Sequence, residues 1–344
     1  MRVNFCILDF KKKVFLCLCL AASLILLLDI GLYCIANHKT TESYFFDNKI
    51  SKMRHFQLNN AKAKDMVFIG SSRTLHHIST QIFKDNNLSI YNFGIPGNGL
   101  WDYPFIVDNM INYKPKKVII NIRASDLFED IRIANLTASE MKALCGTDKI
   151  LALKSLPSFL KNKHIFLRHS ESIYYRIKAF YEKFNNKETN AIKTTKIDIK
   201  SDCKSIQTKF IERNMTKDGI MVVDRCTNGD SVLFAYAIPR ENFGKNLELK
   251  TLNYNTIKYL QNFIIDPLLR NDIEVTILLE PIFDGTSLHY DINSIKEAIK
   301  GAKVIDLTSF KFSDDELADW EHINNLGRKK YSNYLVGLYK NDDL

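Results

Sequence analysis

Apolar and polar positions alternate in a regular way along most of the chain that follows residue 64. Short apolar runs bounded by glycine or charged residues predict buried β-strands, and they lie at residues 66–69, 88–93, 117–122, 274–279 and 303–307. Stretches with apolar residues every three or four positions predict helices at residues 73–83, 101–113 and 325–339. Strands that alternate with helices indicate an α/β domain with a parallel sheet covered on both faces.

A long segment, from about residue 130 to 250, interrupts this alternation. Its first half is rich in lysine and large apolar residues, which predicts amphipathic helices with basic outer faces. Residues 185–204 are polar and predict a loop, whereas residues 232–238 predict an added strand. We interpret the segment as a mainly helical insertion above the sheet. Two roles fit it: packed helices with solvated lysines, or a lid or membrane-surface face.

Residues 15–36 form an almost continuous apolar stretch in which Asp29 is the only charged residue. A helix of this length spans roughly 30 Å of bilayer hydrocarbon. Three lysines at 11–13 precede it, so the positive-inside tendency predicts a cytoplasmic segment at residues 1–14 and an external C-terminal part. The stretch therefore predicts a single-pass transmembrane anchor. A cleaved signal peptide is the main alternative, and a buried core helix is a third.

The region that follows the apolar stretch predicts how the domain is attached. Residues 37–64 are polar with scattered aromatic side chains and predict a stalk, after which the domain occupies residues 65–344. A carboxylate in lipid is costly unless it has a partner. Asp29 therefore either contacts a helix of another membrane protein or lies near the outer interface.

Charge and cysteine content narrow the classes of partner. The net charge of +9 and the pI of about 9.0 are compatible with nucleic acid, anionic lipid or an acidic glycan, but a preceding membrane anchor argues against nucleic acid. Of the seven cysteines, only Cys145, Cys203 and Cys226 lie beyond the apolar stretch, and the sequence does not select a disulfide among them. The sequence contains no phosphate-binding loop, dinucleotide fingerprint or zinc-ligand spacing, so no cofactor and no metal is predicted.

Two short motifs at opposite ends of the predicted domain carry candidate chemistry. Gly70, Ser71 and Ser72 follow the first predicted strand, and Asp319 lies three residues before His322, in front of the last helix. A serine nucleophile requires an imidazole that takes its proton and a carboxylate that orients this imidazole. Each motif alone is typical of a capped turn. Together, at the strand ends where open parallel sheets bind ligands, they predict one active site.

The order of these motifs resembles that of the SGNH (GDSL-like) hydrolase superfamily, over roughly residues 64–130 and 270–340. The family's Gly-Asp-Ser block matches residues 70–72, with Ser71 in place of Asp, and its Asn-x-Gly-x-x-Gly pattern matches residues 92–97. Its final Asp-x-x-His block matches residues 319–322. The Gly-Ser-Ser-Arg form is similar to extracytoplasmic branches that act on cell-envelope polymers, such as alginate acetylation proteins and the teichoic-acid alanylation protein.

The resemblance implies a three-layer, flavodoxin-like α/β domain and assigns roles to individual residues. Ser72 would be the nucleophile, His322 the general base and then acid, and Asp319 the residue that orients His322. The oxyanion hole would consist of the Ser72 and Gly97 amides and the hydroxyl of Ser125, which stands where the family has an Asn.

Several neighbouring residues are candidates for lesser roles. Arg73 and Asn98 are candidate substrate-binding residues, and Arg73 either binds an anionic group or is solvated. His76 and His77, on the nucleophile's own helix, are expected to be surface or packing residues, since the base of such sites arrives from a distant loop. Glu280, at the end of the fourth predicted strand, is expected to line the cleft.

The sequence thus predicts a membrane-anchored, extracytoplasmic serine esterase or O-acyltransferase that acts on acyl esters of a cell-envelope glycan. Hydrolysis and transfer differ only in whether water or a sugar hydroxyl attacks the acyl-enzyme. A single spanning helix cannot carry acyl groups across a bilayer, so a transferase would need a multi-spanning acyl-donor partner. The alternative from another class is a non-catalytic protein of the same fold that binds or scaffolds a glycan assembly complex.

Overall fold

The computed structural model describes residues 64–130, 201–212, 220–234, 245–282 and 286–344, together with 13–17, 20, 21, 23, 24, 27, 52, 53, 55–57, 153 and 156. The chain forms two compact units. Residues 1–41 and 135–193 make up the first unit, in which the described residues between 13 and 27 are helical and exposed. Residues 42–134 and 194–344 make up the second unit.

Most of the predicted anchor lies outside the described residues, and so do the two predicted amphipathic helices of the insertion except for residues 153 and 156. In the part of the chain that is described, none of the helices combines the length and the apolar character that a membrane crossing needs. The predicted stalk is described only at residues 52, 53 and 55–57, where Met53 and Phe56 are buried. The packing of the second unit therefore includes residues that precede the predicted start of the domain at 65.

A parallel five-stranded sheet forms the centre of the second unit. Its strands are β1 (Met66–Gly70), β2 (Ile90–Gly94), β3 (Lys117–Ile122), β8 (Glu274–Leu279) and β10 (Lys303–Asp306). They lie in the order β10-β8-β3-β1-β2. Each coincides closely with a predicted strand, and the predicted α/β architecture is confirmed.

Helices cover this sheet. In chain order they are α1 (Ser72–His77), α2 (Thr80–Asp85), α3 (Tyr103–Met110), α4 (Tyr254–Leu260), α5 (Asp266–Leu269), α6 (Ile292–Ala298) and α7 (Asn325–Lys340). Short 3-10 turns at Leu100–Asp102 and Ile111–Tyr113 flank α3, Ala124–Leu127 follows β3, and Asp314–Glu316 precedes α7. A π-helical turn, Gln261–Ile265, joins α4 to α5.

The core lies on both faces of the sheet because successive strand side chains point to opposite sides. Met66 and Phe68 of β1 form one hydrophobic cluster with Tyr331 and Leu335 of α7. All five residues of β1 are buried, including those that point away from this cluster. Burying both faces of β1 holds its carboxyl end, and the turn that follows it, in a fixed position.

The single helix predicted over residues 73–83 is wrong, because two short helices, α1 and α2, occupy this stretch. Ile78, between them, is extended rather than helical. Ser79 caps α2 by accepting the Ile82 N–H, and its own N–H donates to Ser332 Oγ at 2.9 Å. Serine is favoured at helix N-caps over helix interiors. Here the hydrogen bond from Ser79 to Ser332 accounts for the break between α1 and α2.

Between residues 201 and 250, the described part of the insertion is a β-structure, so the prediction of a mainly helical insertion is wrong for these residues. β4 (Ser205–Glu212), β5 (Ile220–Cys226) and β6 (Ser231–Phe234) form an antiparallel sheet, and β7 (Asn246–Glu248) pairs with β9 (Ser287–His289). The predicted strand at 232–238 overlaps β6. β-branched valines in β5 and β6 favour strands.

A disulfide joins Cys203 to Cys226, with their Cα atoms 5.8 Å apart. The disulfide ties the residue two positions before β4 to the last residue of β5. Among the pairings left open by the sequence, the structure therefore selects this one. The predicted loop at 185–204 is described only from residue 201, where it has no regular structure before β4 begins.

A half-buried histidine in the N-terminal part of this unit gives stability a pH dependence. Burial, together with the nearby Lys52 ammonium, lowers the pKa of His55 from 6.5 to about 4. Between these values the unfolded chain binds a proton that the folded chain does not, so the free energy of unfolding decreases as pH falls from about 6.5 to about 4. We expect denaturant titrations across this range to show a weaker pH dependence for His55→Phe than for the wild type. Equal slopes would contradict this assignment.

Candidate active site

The candidate nucleophile lies in a tight turn between β1 and α1. Gly70 ends the strand, Ser71 is the N-cap of α1, and Ser72 is the first helical residue. The Ser71 hydroxyl accepts the N–H of Arg73 at 3.3 Å, which explains why a serine is suited to this position. A Cβ at Gly70 would come within 1.8 Å of Thr74 Oγ1, so the turn requires glycine there.

The candidate base and its orienting carboxylate lie in one short loop, Leu317–Asn324, before α7. The Asp319 Oδ1 atom accepts the N–H groups of Glu321 and His322, both at 2.8 Å. The His322 carbonyl accepts the N–H groups of Ala318 and Asp319. Asn324 then caps α7 by accepting the N–H groups of Leu326 and Gly327. These bonds close the loop on itself and fix the two functional side chains side by side.

The structure brings the three predicted catalytic residues together. His322 Nδ1 lies 2.9 and 3.1 Å from the two carboxylate oxygens of Asp319, and His322 Nε2 lies 2.9 Å from Ser72 Oγ. Because a carboxylate only accepts, the proton of a neutral His322 is on Nδ1, and Nε2 accepts the Ser72 hydroxyl. This is the geometry in which an imidazole can take the proton of an attacking serine.

The carboxylate is more deeply buried than the nucleophile. Asp319 is 2% exposed and His322 is 8% exposed, whereas Ser72 is only half-buried. Solvent is therefore kept from the pair that orients the imidazole, while the hydroxyl that would react remains accessible.

The predicted oxyanion residues follow neighbouring strands at the same sheet edge as Ser72. Gly97 lies after β2 in the left-handed region, with φ of 75°, and is exposed. Ser125 lies in the 3-10 turn after β3. Neither the Ser72 N–H nor the Gly97 N–H donates a hydrogen bond to any of the described residues. Such unpaired amides are suited to stabilising negative charge on a substrate oxygen.

Asn98, a predicted substrate-binding residue, carries an unsatisfied buried donor. Its side-chain Nδ2 atom is buried and has no hydrogen-bond partner within the described part of the chain. Its backbone N–H is used, because it donates to the Ile95 carbonyl at 3.2 Å. A buried amide donor without a partner costs free energy, and this cost is recovered only when a ligand or water accepts from it.

Of the two roles predicted for Arg73, binding an anionic group or being solvated, the second is wrong. Its side chain is 15% exposed, its Nη1 atom lies 3.8 Å from Glu280 Oε2, and it donates to the Pro281 carbonyl at 3.5 Å. Burial raises the pKa of Glu280, and the Arg73 guanidinium opposes this shift. The pair joins the nucleophile's helix to the end of β8.

A cavity of about 460 Å³ is lined by sequence neighbours of the three catalytic candidates but not by the candidates themselves. The residues next to Ser72 and His322 in the sequence, Arg73 and Glu321, are part of its lining, and Glu280 lines it as predicted. The other lining residues include Arg123, Ser125, Lys245, Leu247, Leu288 and Trp320. Trp320 is 45% exposed, so a large aromatic face is open to the cavity's surroundings.

Two histidines that the sequence assigned to the surface or to packing contact the candidate base. The His76 and His77 rings stand edge-on to the His322 ring, with centroids 5.4 and 5.9 Å away. Burial, reinforced by the charge of a protonated His322, lowers the pKa of both histidines well below the usual value. Both are thus neutral packing partners of the base, and no sequence pattern distinguishes this from packing elsewhere.

A buried arginine connects the site to the antiparallel sheet. Arg328 of α7 is 1% exposed and pairs with Asp230 at 2.6 Å and Asp202 at 3.3 Å. It also donates to the carbonyls of His76 and Ser231, at 3.1 and 3.3 Å. Sequence reasoning did not single out Arg328, because its acidic partners lie about a hundred residues away.

The described residues contain no group of three histidine, cysteine or acidic side chains placed to hold a metal ion. No protein-family model matches the chain, and no curated protein is similar enough to it to count as a relative.

Proposed function

We propose that this chain is a serine esterase or O-acyltransferase of the SGNH type. The observation that carries the proposal is the continuous chain of hydrogen bonds from Asp319 through His322 to Ser72, which joins residues from opposite ends of the domain. A serine that merely caps a turn needs no imidazole, and a surface histidine needs no buried carboxylate. The parallel sheet, with all candidate residues at its carboxyl edge, supports the same conclusion.

The proposed reaction begins with attack of Ser72 Oγ on the ester carbonyl carbon, while His322 Nε2 takes the hydroxyl proton. The carbonyl oxygen becomes an oxyanion that the Ser72 and Gly97 amides stabilise. When the tetrahedral intermediate collapses, His322 delivers its proton to the leaving alcohol oxygen, and the acyl group remains on Ser72. Water or a sugar hydroxyl then attacks this acyl-enzyme, and His322 again acts first as base and then as acid.

Two departures from the family pattern are accommodated by neighbouring residues. Ser71, in place of Asp, caps α1. Ser125, in place of Asn, has a hydroxyl that reaches less far than an amide. The unpartnered Asn98 amide, one residue after Gly97, is a further donor for the oxyanion or for the substrate.

The cavity favours a glycan ester as substrate. An exposed tryptophan provides a flat apolar surface for the apolar face of a sugar ring, and the charged residues around it provide hydrogen bonds for hydroxyl groups. Its volume accommodates more than the acyl group alone. The test is release of acetate from an O-acetylated oligosaccharide by the wild type and by Trp320→Ala, with p-nitrophenyl acetate as a small ester. The proposal requires wild-type turnover of the oligosaccharide, with a raised KM in the variant.

We further propose that the domain acts outside the cytoplasm, tethered by the apolar stretch at residues 15–36. The Cys203–Cys226 disulfide supports this, because structural disulfides are rare where thiols are kept reduced. We expect a periplasm-active phosphatase fused after residue 344 to be active and a cytoplasm-active reporter at the same position to be silent. The reverse result would contradict the location, and the anchor with it.

A further inference from the structure

One short helix contacts the candidate base at two points. α1 carries Ser72 at its first position and His77 at its last. At one end, Ser72 Oγ bonds to the ring of His322. At the other end, His77 Nε2 accepts the backbone N–H of Ile323, the residue after the base, at 3.2 Å. The nucleophile's helix is therefore bonded both to the side chain of His322 and to the backbone that carries it.

The internal bonds of the Leu317–Asn324 loop fix its shape. The Ala318 and Asp319 N–H groups donate to the His322 carbonyl, and the Asn324 side chain donates to the carbonyls of Asp315 and Leu317. Such bonds hold Asp319 against His322 but do not determine where the pair lies relative to α1. The bond from Ile323 to His77 joins the loop to α1 and so bears on that position.

His77 is itself held firmly. It is 2% exposed, and its carbonyl accepts the hydroxyl of Ser332 on α7 at 3.3 Å. The Ile323 N–H is a donor, so the Nε2 atom of His77 carries a lone pair, and a neutral ring has its proton on Nδ1. Burial lowers the pKa of His77 well below the usual value, which keeps the ring in this accepting form.

We propose that His77 is a positioning residue, whose Nε2 acceptor fixes the loop that carries the base relative to the helix that carries the nucleophile. The inference rests on the proposed function, because it gives His77 a role in the same reaction. Proton transfer from Ser72 depends on the separation of Oγ and Nε2, and a displacement of about 1 Å lowers a rate roughly a hundredfold. His77 does not line the cavity, so its effect should fall on kcat rather than on KM.

Two substitutions at His77 distinguish the effect of its Nε2 acceptor from the effect of its ring volume. His77→Phe keeps a planar ring of similar volume but has no acceptor. His77→Gln places a side-chain oxygen at about the reach of Nε2. We expect His77→Phe to lower kcat for p-nitrophenyl acetate roughly tenfold to hundredfold with little change in KM, and His77→Gln to recover most of it. His55→Phe is the matched control, a partly buried histidine that bonds to Tyr91 and Thr227 instead, and should retain wild-type kcat.

Thermal unfolding of each variant identifies loss of fold, and the comparison is then made at a temperature where all variants are folded. Wild-type kcat in His77→Phe would overturn the proposal. Equal losses in His77→Phe and His77→Gln would also overturn it, because the acceptor would then not be the cause. If the wild type shows no turnover that depends on Ser72, the proposed function fails. In that case hydrogen exchange at the Ile323 amide tests the role of His77 independently of activity. An exchange rate that is unchanged in His77→Phe overturns the positioning role.

Discussion

Ser72→Ala should lower kcat for a small acyl ester by roughly 10⁶-fold, to the level that binding and the oxyanion amides alone sustain. The substitution removes the atom that forms the covalent bond, while the backbone amides of the site remain. The hydroxyl of Ser72 bonds to His322 in a partly exposed position, so its loss should change stability little. Steady-state kinetics with p-nitrophenyl acetate measure the loss.

The adjacent serine provides the matched control for this experiment. Ser71→Ala removes an equivalent hydroxyl that caps α1, which should cost about 1 kcal/mol of stability and only a small part of kcat. If Ser71→Ala abolished turnover and Ser72→Ala did not, the nucleophile would be Ser71, and the hydrogen bond to His322 would have misled the assignment.

Asp319→Asn should lower kcat by roughly 10⁴-fold, a smaller loss than that of Ser72→Ala. An amide side chain can donate to the imidazole, which favours a proton on Nε2 and leaves no lone pair to accept from Ser72. In addition, Asp319 accepts two backbone N–H groups of its own loop, so its oxygen also holds the shape of that loop. The oxygen of Asn can preserve these two bonds.

The comparison between the two substitutions tests the logic of the triad. Combining Asp319→Asn with Ser72→Ala should produce no further loss beyond that of Ser72→Ala, since residues that act as a unit are not additive. A full additional loss in the double variant would show that Asp319 acts independently of Ser72.

The sequence was informative wherever local patterns decide structure. The strands of the parallel sheet are short apolar runs whose burial follows from their composition, and all five were predicted to within two residues at each end. The catalytic candidates were equally visible, because glycine and serine after a buried strand, and Asp-x-x-His before a helix, are local motifs. Their convergence follows from parallel strands that share one carboxyl edge.

Other features depend on partners far away in the chain and could not be read from local patterns. Ser79 ends one helix and starts another because its N–H bonds to Ser332, over 250 residues later. The pairing of Arg73 with Glu280 and the contact of His77 with Ile323 are likewise long-range. β4 and β5 of the antiparallel sheet were not predicted, whereas β6 overlaps the strand predicted at 232–238.

The most direct test of a nucleophilic Ser72 is covalent labelling with a fluorophosphonate, followed by mass spectrometry of peptides from residues 40–344. The geometry predicts one adduct, located on Ser72, that is lost in Ser72→Ala and strongly slowed in His322→Ala. An adduct on another residue, or intact wild-type protein that neither reacts with the probe nor hydrolyses any ester, would contradict the account and favour a non-catalytic binding or scaffold role.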